Sequence, residues 1–179
     1  MRIKREKAVA VAIDYQERLL PAMNDKDNLL KNSAKLLEGL KILGVPIYFT
    51  QQYTKGLGQT DEWMRQAAGT EENLEKIRFS GYREIAPKLQ GPQVQPYVIL
   101  CGIESHVCVL QTAMEFKEQG YVPVLVTDCV TSRKARDYEM ALERAKQEQI
   151  LLTTCEALLF ELLEEAGTQT SKMIQKLVK

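Results

Sequence analysis

Ala8-Val9-Ala10-Val11-Ala12-Ile13-Asp14 decides the fold. Six apolar residues run without interruption and end in a carboxylate. That is the length of a strand rather than a buried helix. A strand with one wet face would alternate apolar with polar residues. An unbroken run instead marks a strand covered on both faces, as in a parallel sheet with helices above and below it.

Outward from this strand, short apolar runs alternate with amphipathic stretches, the pattern of βαβ units. Residues 29–43 place Leu29, Leu36, Leu37, Leu40 and Leu43 at helical spacing, and Gly44 stops the helix. Residues 45–50 read as the second strand, and residues 97–101, 122–127 and 150–153 as later ones. More than forty residues separate the second of these strands from Tyr97. One crossover helix cannot fill that gap, so it should hold functional loops, a helix near 62–68 and a short strand near 74–79. Ser105 reads as the N-cap of a helix that turns Val107, Leu110, Ala113 and Met114 inward and ends at Gly120. Residues 137–147 form another helix. Residues 156–179 are helical with a break at Gly167. No repeat, low-complexity tract or linker divides the chain. The expectation is one domain, residues 1–179, built as a three-layer α/β/α sandwich around a mostly parallel sheet.

Composition narrows the function. Apolar residues make up 45% and charged residues 27%, ordinary for a globular protein. The 24 basic and 24 acidic residues cancel, which gives no footprint for nucleic acid or an anionic membrane. Arg133-Lys134-Ala135-Arg136 reads as a solvated helix face. No apolar run reaches the roughly 18 residues of a membrane span. The first apolar stretch stops at Asp14, too early for a signal peptide. A cytoplasmic protein acting on a small molecule is expected. Cys101, Cys108, Cys129 and Cys155 form no CxxC pair and read as free thiols. His106 is the only histidine, which excludes a two-histidine zinc site, and no cofactor is expected.

Ligands of an open parallel sheet bind beyond the carboxyl ends of its strands. Asp14, Gln51, Gln52, Lys76, the segment 102–108, Asp128 and Cys129 all follow or end such strands. A carboxylate, an ammonium and a thiol can therefore meet on one rim. Cys108 falls in the first turn of a helix, where free N–H groups and the helix dipole favour a thiolate and could hold an oxyanion. It could equally be a small core residue. Asp14 is either a general base for that thiol or a loop cap, and Lys76 either holds Asp14 or is solvated. Cys129 and Cys155 also follow strands but lack a helix first turn. His106 sits two residues before Cys108, and such positions do not face each other on a helix.

The residues 9–16, ending in Asp14-Tyr15-Gln16, resemble the first strand of the isochorismatase-like hydrolases. Lys76-Ile77-Arg78-Phe79-Ser80 is similar to their K-x-x-F-S segment, and Gly102-Ile103-Glu104-Ser105-His106-Val107-Cys108-Val109 to their G-[IV]-x-[ST]-x-x-C-V signature. Residues 128–133, 153–156 and 52–58 resemble the branch of isochorismatase-domain-containing proteins. The resemblance covers nearly the whole chain. It implies a six-stranded sheet and a triad of Asp14, Lys76 and the nucleophile Cys108. It also implies a cis Ile103–Glu104 peptide beside an oxyanion hole formed by the Glu104 and Cys108 N–H groups. Glu104, Gln16, Gln52 and Tyr53 fall to substrate binding. The metal site of the family's nicotinamidases needs two histidines that this chain lacks. Cys108 argues for acyl chemistry on an amide or related carbonyl compound. Vinyl-ether hydrolysis with Asp14 as the acid, and a binding protein without turnover, are the alternatives. A homo-oligomer is expected, because Leu158, Leu159, Phe160, Leu162 and Leu163, with Met173, Ile174, Leu177 and Val178, offer more apolar surface than one sheet contact needs.

Overall fold

The computed structural model describes residues 2–179. Strand β1 spans Ala8–Ile13, followed by α1, Lys26–Ile42, and β2, Ile47–Gln52. The long connection then folds as two helices, α2 (Thr54–Leu57) and α3 (Glu62–Ala68), a short β3 (Asn73–Lys76) and α4 (Tyr82–Ile85). Next come β4 (Tyr97–Ile103), α5 (Leu110–Glu118), β5 (Val122–Thr131) and α6 (Ala135–Gln147). Strand β6 (Leu151–Thr153) and helices α7 (Cys155–Leu163) and α8 (Gln169–Val178) close the chain. The six strands form one sheet in the order β3-β2-β1-β4-β5-β6, and every pairing is parallel. This is a three-layer α/β/α architecture.

The alternation inside β1 sorts the two layers. Ala8, Ala10 and Ala12 join the core that holds Leu36, Leu37 and Leu40 of α1. Val9, Val11 and Ile13 join the opposite core with Ala113 and Phe116 of α5. A run that is apolar throughout thus still reads with period two, small residues to one face and branched ones to the other.

Several boundaries differ from the sequence reading. Strand β3 stops at Lys76, which leaves Ile77 and Phe79 outside the sheet and exposed. Strand β5 runs on to Thr131, because a register shift between Leu100 and Gly102 lets it pair again with Gly102 and Ile103. Helix α1 begins three residues before Leu29. Ser105 is not an N-cap: Glu104 holds that position without a capping side chain, while the Ser105 hydroxyl is buried and makes no hydrogen bond.

The C-terminal helices bury most, though not all, of the apolar residues on which the oligomer expectation leaned. Leu158, Leu159, Leu162, Leu163 and Ile174 are buried within their own chain. Leu159 presses onto α1 at Gly39, where an added Cβ would lie 2.5 Å from a Leu159 methyl. Glycine at that position lets α7 seat against α1 and cover the surplus leucines. Phe160 and Met173 stay exposed. Among the described residues no helix is long and apolar enough to cross a membrane.

Candidate active site

The strand order reverses between β1 and β4, and a crevice opens beyond their carboxyl ends, where an open α/β sheet binds its ligands. Gly102 sets how close the two strands come. Its φ is +123°, and a Cβ there would overlap the Ile13 carbonyl oxygen, so only glycine permits the approach. Asp14 leaves β1 with a left-handed backbone (φ 52°), and Lys76 ends β3.

Lys76 and Asp14 form a fully buried ion pair with Nζ 2.7 Å from Oδ2. The ammonium also donates to Gln52 Oε1 at 2.7 Å and to the Arg78 carbonyl at 3.3 Å. Thr50 Oγ1 donates to the other Asp14 oxygen at 2.7 Å. Each carboxylate oxygen thus has a donor, and the ammonium has three acceptors. A pair taken out of water needs that completeness to hold its charges.

A cavity of about 110 Å³ lies over the pair, and Asp14, Gln52, Glu104 and Cys108 all line it. Leu19, Leu57, Phe79, Ile103 and Val107 make the rest of its wall apolar. The peptide between Ile103 and Glu104 is cis. After it the helix opens with a π-type turn over Ser105–Val109, in which the Leu110 N–H reaches the Ser105 carbonyl.

The thiol differs from the thiolate expectation. Burial pushes Cys108 from its ordinary 9.0 up to about 12, and the Asp14 charge pushes the same way, against the Lys76 ammonium. Desolvation and a nearby carboxylate outweigh whatever the helix dipole supplies. The resting group is a neutral thiol. Any attack by sulfur therefore needs a base, and Asp14 faces the same cavity.

Other predicted residues are placed less simply. Gln16 is fully buried, with its amide spanning the Gln52 and Gly58 carbonyls and the Gln52 N–H. It stitches two loops together and does not line the cavity. Gln52 lines the cavity, yet its amide is engaged by Lys76 and by the Ile77 carbonyl. Tyr53 is half-exposed and lies outside the cavity lining. Glu104 faces the cavity, but its carboxylate accepts from the backbone N–H and the Nε of Arg133 at 3.0–3.1 Å. Arg133 thus does more than solvate a helix face. His106 turns Nδ1 to Ser132 Oγ at 2.9 Å, with Nε2 3.9 Å from Asp137. Cys129 and Cys155 are buried in the core on the α1 side, away from the cavity. Sequence reasoning missed Thr50 and Phe79. A hydroxyl at the carboxyl end of β2 is the signal that could have found Thr50.

The buried thiols carry a pH dependence. Cys101 is also raised to about 12, and Cys129 well above its ordinary value, both chiefly by burial. Between pH 9 and about 12 the unfolded chain loses these protons and the folded one keeps them, so stability falls as pH rises. Cys101 and Cys108 each steepen the decline by about one proton across that window. Urea midpoints should be level below pH about 8.5 and decline above 9. Cys101→Ala should flatten the decline by about one proton, and an unchanged slope would refute the linkage.

Residues 8–157 match the isochorismatase domain. The chain is 35% identical over 178 residues to isochorismatase domain-containing protein 2 of Danio rerio, covering 99% of this chain and 89% of that protein. It is 34% identical over 177 residues to isochorismatase domain-containing protein 1 of the same fish, covering 96% of this chain but only 61% of that longer protein. Among solved structures, a Caenorhabditis elegans protein described as MAR1 ribonuclease superimposes with a TM-score of 0.92 at 30% identity, over 99% of this chain and 92% of that one. Fold, domain match and relatives agree: the chain belongs to the isochorismatase family of hydrolases.

Proposed function

We propose that this chain is a cysteine-dependent hydrolase of small amides or related carbonyl compounds. The observation that carries the reading is the meeting of Cys108 with the buried Asp14–Lys76 pair on one small cavity at the strand-order reversal. In the forward step the Cys108 thiol gives its proton to Asp14 as sulfur bonds to the substrate carbonyl carbon. The N–H groups of Glu104 and Cys108 hold the oxyanion. Asp14 passes the proton to the leaving nitrogen as the C–N bond breaks, which leaves a thioester on Cys108. Water then attacks the thioester, Asp14 takes a proton from it, and the thiol is restored as the acid leaves. Lys76 keeps Asp14 oriented between steps.

A cavity of about 110 Å³ holds the volume of roughly three to four waters, so the acyl group is small. The ribonuclease activity in the description of the Caenorhabditis elegans neighbour finds less support. The cavity is well below the several hundred Å³ of a typical ligand site, and the formal net charge is zero.

Incubation with p-nitrophenyl acetate followed by intact-mass and peptide analysis tests the reading. One acetyl group on Cys108, formed and lost at the rate of turnover, is expected. Acetylation confined to Cys129 or Cys155, or turnover with no acyl-protein, would refute it. A homo-oligomer remains part of the proposal on the family resemblance alone. Light scattering on the eluting protein is expected to exceed the chain mass of 20.4 kDa, and a monomer mass would end the idea.

A further inference from the structure

The turn that leads into the nucleophile is held from outside by the loop that follows β5. Strands β4 and β5 pair as far as Gly102 with Val130 and Ile103 with Thr131, and there β4 ends. Past the end of the ladder, side chains take over. The Arg133 N–H donates to one Glu104 carboxylate oxygen at 3.0 Å, and Arg133 Nε donates to both oxygens at 3.1 Å. Two residues beyond Glu104, His106 Nδ1 and Ser132 Oγ form a second hydrogen bond at 2.9 Å. Between them the Ser105 hydroxyl is buried and makes no hydrogen bond, so the side-chain ties of this stretch fall on either side of it.

The loop is itself anchored. Ser132 is fully buried, its carbonyl accepts from the Asn24 N–H at 3.1 Å, and Thr131 Oγ1 donates to the Asn24 carbonyl at 2.9 Å. A support fixed at its own root can fix what it grips. The two partners of the first tie differ in exposure: the Glu104 side chain is 11% exposed and that of Arg133 61%. Glu104 lines the cavity and Arg133 does not, so any influence of Arg133 on the chemistry passes through Glu104. An ion pair with so exposed a partner adds little to stability. What a charge-assisted pair of bonds supplies at this place is direction.

We propose that Arg133 is a positioning residue for acyl transfer: by gripping the Glu104 carboxylate it sets the direction of the Glu104 N–H, one of the two donors assigned above to the oxyanion. The Glu104 carboxylate is then a handle on the backbone and not a contact for the substrate. This deepens the acyl-transfer reading above and rests on it. A donor of this kind acts on charge that develops only in the transition state. A displacement of about 1 Å is enough to lose about 10²-fold in rate.

Two electrophiles separate the oxyanion donor from the thiol. p-Nitrophenyl acetate acylates sulfur through a tetrahedral oxyanion, whereas iodoacetamide alkylates it by displacing iodide and forms none. Arg133→Ala is expected to slow the maximal rate of Cys108 acylation about five- to tenfold, with the half-saturating ester concentration within about twofold of the wild type. Alkylation of Cys108 by iodoacetamide should stay within about twofold, and the melting midpoint within about 4 °C. Glu104→Ala should slow acylation about 10- to 10²-fold, and Arg133→Ala/Glu104→Ala no further, because Arg133 has no other route to the site. Wild-type acylation in Arg133→Ala overturns the assignment. So does alkylation that falls in step with acylation, a half-saturating concentration that rises in place of the rate, a larger drop in melting midpoint, or losses that multiply in the double variant. Failure of the underlying chemistry looks different: p-nitrophenyl acetate then leaves Cys108 of the wild type unacylated.

Discussion

Cys108→Ala is expected to lower kcat on a small acyl substrate by about 10³-fold or more, with little change in thermal midpoint. In the proposed mechanism the Cys108 sulfur bonds to the substrate carbon, so its loss removes the covalent route. Structurally the change is mild. The side chain sits at the edge of a cavity, so trimming one sulfur creates little new void, and about 1 kcal/mol or less of stability is at stake. Activity and stability should therefore part company, which a merely structural cysteine would not allow. Steady-state kinetics beside a melting curve reads both. Should Cys108→Ala keep full activity on isochorismate while Asp14→Asn loses it, the vinyl-ether alternative would replace acyl transfer.

Lys76→Met should damage both properties. Removing one partner of a buried, hydrogen-bonded ion pair typically loses about 3–5 kcal/mol, because the other charge stays in the interior. Asp14 is fully buried and would keep only the Thr50 hydroxyl among its side-chain partners. For a chain of this size that loss is a fall of roughly 6–20 °C in Tm. Asp14 would also lose the ammonium that fixes its place beside Cys108. A drop of about 10²–10⁴-fold in kcat is expected, the usual worth of a general base. Asp14→Asn/Lys76→Met removes both charges and should recover most of the stability and none of the activity. A double variant no more stable than Lys76→Met would show that the buried pair is not the source of the loss.

The centre of the fold was legible because burial on both faces leaves a strand no freedom of composition. Residues 8–13 and their partner β4 admit only apolar side chains, and periodicity finds them. Asp14 was legible for the same reason, as a charge ending an apolar run. Lys76 was not. Its role depends on a carboxylate sixty-two residues away in the chain, and no local pattern records that pairing. Motif resemblance supplied it. Ser105 misled because a serine before an apolar stripe reads as a cap, while a π-type turn moves the cap position to Glu104. The C-terminal leucines misled for a different reason. Their excess over one sheet contact is taken up by α1, at a glycine whose meaning appears only when Leu159 is seen against it. The thiol's protonation was also out of reach, since the sum of burial and neighbouring charge is a three-dimensional quantity.

The neutral resting thiol has a consequence for survival under oxidative stress. Peroxides and disulfides react with thiolates, not thiols. With burial and the Asp14 charge pushing Cys108 up to about 12, the neutral thiol prevails at pH 7. In the proposed mechanism the sulfur is armed only when a bound carbonyl compound draws its proton toward Asp14. A thiol held neutral in this way is expected to react slowly with peroxide, glutathione disulfide and stray electrophiles, which mass analysis of peroxide-treated protein would check.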